Sequence, residues 1–173
     1  MTKSVLFICT GNTCRSFMAE YLLRHHAAKA KLDVDVASAG VGAFPGDPAG
    51  EYAVEALGEV GIDGVEHRSK RAHLHLLEQY DLILTMTPSH KEQLVTMAPE
   101  LTGRIFLLKE FAERVKRGKD SAEFVEKDHE ISDPFGQSLD VYRRSRDEID
   151  RAVQTVVEHL LEGGGKVEDC NRC

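Results

Sequence analysis

The strongest pattern near the start of the chain is an unbroken apolar run, Val5-Leu6-Phe7-Ile8-Cys9. It gives way to the small polar stretch Thr10-Gly11-Asn12-Thr13-Cys14-Arg15. A run that is apolar at every position suits a strand buried on both faces, as in a parallel sheet. Ser16 then opens a segment where Phe17, Met18, Tyr21, Leu22 and Ala28 recur at helical spacing, as far as about Lys31. Ser16 reads as the helix N-cap, with Glu20 early in the helix where the dipole favours an acid. Val34 and Val36 alternate with Asp33 and Asp35, a strand leading to Ser38-Ala39-Gly40. Val41 to Pro48 is a loop rich in Gly and Pro. Asp47-Pro48 predicts a helix start, and Tyr52, Ala53, Ala56, Leu57 and Val60 form its stripe, ended by Gly61.

Further on, Asp63 to Ala72 is polar and basic, and its run Arg68 to Arg71 reads as a solvated edge. Leu74 to Leu77 predicts a short helix, Asp81 to Met86 a strand, Pro88 the start of another helix, and Arg104 to Leu108 a fourth strand. Alternating strands and helices predict an α/β fold: a four-stranded parallel sheet with helices on both faces and the active loop after the first strand. Lys116 to Ile131 is rich in charge and reads as a surface excursion into the turn Ser132-Asp133-Pro134-Phe135-Gly136. The apolar positions from Leu139 to Leu161 give a long amphipathic helix that ends at Gly163-Gly164-Gly165.

Length and charge narrow the picture. The 173 residues suffice for one domain with a real core. A net charge of −7 argues against nucleic acid or an anionic membrane as main partner. Ser4 to Ile8 is too short for a signal peptide, and no stretch approaches a membrane span. The cysteines fall as two close pairs, Cys9/Cys14 and Cys170/Cys173, unlike a secreted disulfide framework, so a cytoplasmic protein is expected. No cofactor or metal is called for. Cys170-x2-Cys173 is half a zinc site without a second pair, and His25/His26 and His73/His75 read as surface or helix residues.

The chemistry concentrates at the first loop. A strand, a short loop and a helix N-terminus make an anion site, because backbone N–H groups converge there with the positive helix end. Gly11 and Asn12 tolerate the left-handed backbone of such a nest. Amides that hold a phosphate also stabilise a thiolate at Cys9. Arg15 can grip two phosphate oxygens at once.

Cys9-x5-Arg15-Ser16, written CTGNTCRS, resembles the active-site loop of the low-molecular-weight protein tyrosine phosphatase family, and the likeness reaches to about Gly163. It implies a phosphatase domain over residues 1–163; residues 164–173, polar by composition, read as a flexible tail. It also implies in-line attack by the Cys9 thiolate, a phosphocysteine intermediate, and a phosphate loop of Thr10, Gly11, Asn12, Thr13, Cys14 and Ser16 closed by Arg15. Asp133, in the late Asp-Pro, is the implied general acid and then base. Asn12 and Ser16 resemble residues that hold the loop and hydrogen-bond the nucleophile. Cys14 resembles a second loop cysteine that shields Cys9 through a reversible disulfide, though simple packing explains it equally well.

Thr13 and Phe135 bear on the substrate. Thr13, with Asp133-Pro134-Phe135-Gly136 and the following Ser-Leu-Asp-Val-Tyr, looks closer to the bacterial protein-arginine phosphatases of this fold. A threonine hydroxyl suits a planar guanidinium, where a larger aliphatic residue would favour an aromatic ring. The implied partners are phosphorylated proteins, through phosphoarginine or alternatively phosphotyrosine. A thioredoxin-coupled arsenate reductase is a more distant alternative, for which only the tail could supply resolving cysteines. Phe17 where the family commonly has proline, Thr87 where tyrosine-directed members often carry aspartate, and the Cys170/Cys173 tail depart from the pattern.

Overall fold

A computed structural model describes residues 2–118 and 128–164. The strands are β1 (Ser4–Cys9), β2 (Asp35–Gly40), β3 (Leu82–Thr85) and β4 (Ile105–Leu107), all parallel, in the order β2-β1-β3-β4. The helices are α1 (Arg15–Lys29), α2 (Glu51–Gly58), α3 (Leu74–Glu78), α4 (Pro88–Met97), α5 (Leu108–Arg117) and α6 (Leu139–Leu161). The predicted four-stranded parallel sheet, covered on both faces, is the one observed.

β1 lies inside the sheet, which explains why every residue of its apolar run is buried. Val5, Phe7 and Cys9 face one cluster with residues of α1, α2, α5 and α6. Leu6 and Ile8 face the other, with Leu77 and Leu94 of α3 and α4. Side chains alternate across a strand, so a run covered on both sides is apolar throughout. The strand starts are tied by Asp81, whose Oδ2 accepts from the Lys3 and Ser4 amides at 2.8 and 3.1 Å. These bonds, led by that of Lys3, lower the Asp81 pKa.

Several boundaries differ from expectation. α1 starts at Arg15 with Cys14 at the cap position, so Ser16 is not the N-cap; its hydroxyl turns inward to the loop. Glu20 is consequently a buried residue of the second turn rather than a partner of the helix dipole. Asp47-Pro48 does not start α2: Pro48 pairs with Arg68 in an isolated bridge, and Gly50 takes the cap position. α5 follows β4 with no turn between them, inside a stretch with no predicted helix. The Cys170/Cys173 tail, and residues 119–127 of the expected excursion, lie outside the described residues.

Candidate active site

The loop after β1 is shaped by one residue in a left-handed conformation. Asn12 has φ 56°, and Gly11 does not share that geometry. A short polar side chain tolerates such a backbone when local hydrogen bonds compensate it. Here Asn12 Nδ2 donates to Ser16 Oγ at 2.9 Å and to Ser38 Oγ at 2.8 Å. Its Oδ1 accepts from the Lys70 amide at 2.9 Å, and its carbonyl accepts from His67 Nε2 at 2.8 Å. Ser38 in turn donates to the buried carboxylate of Glu20, which also pairs with Arg24 at 2.6 Å. Burial lowers the pKa of His67, against the pull of the Asn12 carbonyl and Glu20.

The remaining loop backbone is pinned by the segment between β2 and α2. Gly42 N–H donates to the Thr10 carbonyl at 2.9 Å, and Gly50 N–H to the Thr13 carbonyl at 2.8 Å. A Cβ on Gly40 would stand 2.3 Å from the Thr10 carbonyl oxygen, so only glycine allows β2 so close.

Cys9 ends β1 at the floor of this nest. Its Sγ lies 2.9 Å from Ser16 Oγ and receives the Asn12 amide at 3.2 Å. The thiolate is the form of cysteine that attacks electrophiles. Arg15 is buried beside it, donating from Nη1 to the Ile131 carbonyl at 2.9 Å. Its Nη2 stands 3.4 Å from Asp133 Oδ2, and the Asp133 side chain is half exposed. Asp133 Oδ1 accepts the Phe135 amide at 3.1 Å, closing a tight turn around Pro134. Ile131 N–H donates to the Met86 carbonyl at 2.9 Å just beyond β3, so the Asp133 turn hangs over the carboxyl ends of the strands. Open α/β sheets place ligands at that edge.

Thus Cys9, Asn12, Arg15, Ser16 and Asp133, predicted from sequence, converge. Thr13 and Gly11 are half-buried, Thr10 lies at the exposed rim, and Phe135 projects into solvent. The Cys14 thiol lies within 3.4 Å of the Tyr142 hydroxyl, and burial raises its pKa. Thr87, one of the departures, caps α4 by accepting the His90 amide at 3.3 Å. Phe17, another, fills a niche against His67 and Tyr21, with ring centroids 4.7 and 4.9 Å away. His67, Glu20 and Ser38 brace the loop but carry no local sequence signal for that role. Among the described residues no group of three or more His, Cys, Asp or Glu side chains could hold a metal ion.

A cysteine in an amide nest, an arginine closing it and a carboxylate overhead form a phosphoryl-transfer arrangement. Residues 4–164 match the family model of the low molecular weight phosphotyrosine protein phosphatases. The chain belongs to that family. It is a cysteine-based phosphatase, a hydrolase that works through a phosphocysteine intermediate. The phosphatase is 38% identical over 157 residues to a protein-arginine-phosphatase of Bacillus subtilis strain 168, covering 90% of this chain and 95% of the relative. It is 34% identical over 160 residues to a probable low molecular weight protein-tyrosine-phosphatase, EpsP, of Ralstonia nicotianae, covering 92% and 97%. The YwlE arginine phosphatase of Geobacillus stearothermophilus superposes with a TM-score of 0.78 at 36% identity, covering 92% of this phosphatase and 94% of that chain. No helix among its described residues is long and apolar enough to cross a membrane.

Proposed function

We propose that this phosphatase hydrolyses phosphoarginine on proteins, with Cys9 as nucleophile, Arg15 and the loop amides as phosphate clamp, and Asp133 as acid and base. The observation that carries the roles is the convergence of Asn12 N–H and Ser16 Oγ on Cys9 Sγ, with Arg15 reaching Asp133 at 3.4 Å. Cys9 Sγ bonds to phosphorus as the bond to the leaving nitrogen breaks, and Asp133 gives that nitrogen its proton. Water then attacks phosphorus and Asp133 takes its proton. The S–P bond breaks, releasing inorganic phosphate and the thiolate. Arg15 and the amides hold the equatorial oxygens in both steps.

The arginine preference rests on Thr13 in the loop and on the similarity to protein-arginine-phosphatases. A site that hydrogen-bonds its substrate discriminates more strongly than an apolar one. Residues 1–163 carry the activity. Cys9 and Cys14 are both free thiols, which suits a reducing, cytoplasmic setting. The exposed Arg68, Lys70 and Arg71 beside the Asn12 anchor would attract phosphorylated proteins.

The test compares kcat/KM on phosphoarginine and phosphotyrosine peptides for the wild type and Thr13→Ile. The wild type should favour phosphoarginine, and the substitution should shift the ratio toward phosphotyrosine by about tenfold or more. A wild type that favours phosphotyrosine returns the protein to the tyrosine-directed reading.

A further inference from the structure

The two limbs of the phosphate loop are held differently. The Asn12 limb is braced by His67, Lys70, Ser16 and Ser38. On the Thr10 limb, the Thr10 hydroxyl pairs with His90 Nε2 at 2.8 Å. His90 lies in the first turn of α4, is 3% exposed, and has a buried Nδ1 with no hydrogen-bond partner.

One chemical question follows: which group gives the proton? Burial, with the Arg15 charge adding and Asp133 opposing, lowers the His90 pKa to about 4. Near neutral pH the ring therefore carries a single N–H. Were that hydrogen on Nδ1, it would be a buried donor without an acceptor, which folded proteins rarely contain. On Nε2 it meets Thr10 Oγ1 and leaves only a lone pair unused.

We propose that His90 is a positioning residue: its Nε2–H donates to Thr10 Oγ1 and turns the Thr10 O–H outward, as a donor to a phosphoryl oxygen in the loop. A hydroxyl that already accepts one hydrogen bond is polarised as a donor. Thr10 directly follows Cys9, so its O–H would join the amides and Arg15 around the phosphoryl group. This rests on the loop of the proposed function holding that group. It is indifferent to whether arginine or tyrosine carries the phosphate.

The test uses the full chain and an activated aryl phosphate, so that leaving-group protonation and substrate class drop out. Nitrogen-15 NMR of the wild type, with His90→Gln to assign the signal, should show a protonated Nε2 and a bare Nδ1. His90→Ala should lower kcat/KM by about tenfold and weaken inhibition by inorganic phosphate to a similar degree. His90→Gln, whose amide N–H reaches the same position, should restore most of that loss. In a Thr10→Val background the His90→Ala penalty should vanish. A proton found on Nδ1, a glutamine variant as impaired as alanine, or penalties that simply add would each overturn the proposal. A wild type inactive on the aryl phosphate would defeat the phosphatase roles instead, and the tautomer would still decide this inference.

Discussion

Cys9 owes its surroundings to one awkward residue, Asn12, whose left-handed backbone aims its amide at the sulfur. Cys9→Ser should keep the fold and bind inorganic phosphate, yet lose turnover by about 10⁴-fold or more, since an alcohol in this nest has no base to activate it. Steady turnover of an aryl phosphate above background in that variant would remove Cys9 from the nucleophile role. Asp133→Ala should slow phosphoarginine by about 10²–10⁴-fold and activated aryl phosphates far less. Guanidines hold protons far more tightly than phenols, so the nitrogen depends more on a donor. Equal losses on both substrates would count against the acid. At this scale the sequence was most informative, because the nucleophile, arginine and nest lie within eight consecutive residues. His67, Glu20, Ser38 and His90 were illegible as site residues. Ser38, His67 and His90 reach the loop from separate stretches of chain through one hydroxyl or ring nitrogen, and Glu20 acts through Ser38, which leaves no spacing to read.

Elements were legible where their hydrophobic period was set off by turn residues. α5 has Leu108, Phe111, Ala112 and Val115 at helical spacing, yet β4 runs into it without punctuation, so its start was hidden. Ser16 misled for a different reason. Serine is a good cap, but here the sulfur and Asn12 compete for the same hydroxyl. The packing of Phe17 exposes a second dependence that only three dimensions reveal. A Cβ on Gly64 would sit 2.4 Å from the Phe17 ring, which Tyr21 and His67 prevent from swinging aside. Gly64→Ala should therefore cost about 1–3 kcal/mol, read as a lower urea midpoint. Phe17→Leu should relieve much of it. An unshifted midpoint in Gly64→Ala would show that the ring has room to move.

For the molecule as a whole, two buried histidines contribute to the acid side of stability. His90 has its pKa lowered to about 4 by burial and Arg15, with Asp133 opposing, and His67 is lowered by burial. Both bind protons less readily folded than unfolded, where histidine titrates near 6.5. Above that pH their contribution is complete. As pH falls from about 6.5 toward 4 the unfolded chain gains protons the native state refuses, and stability drops, by up to about 3 kcal/mol for His90. Urea titrations across this range should show the fall, and a shallower one in His90→Gln; parallel curves would assign the loss elsewhere.

The contact from Arg15 to the Ile131 carbonyl spans 116 positions of sequence. α1, which carries Arg15, packs against α6. Cys9 and Arg15 are made before the latch that fixes the arginine. At roughly 5–20 residues per second the 116 positions from Arg15 to Ile131 take about 6–23 seconds, during which the arginine is unanchored. Catalytic competence should thus arrive abruptly, when residues 131 to 161 emerge and close over a loop already built.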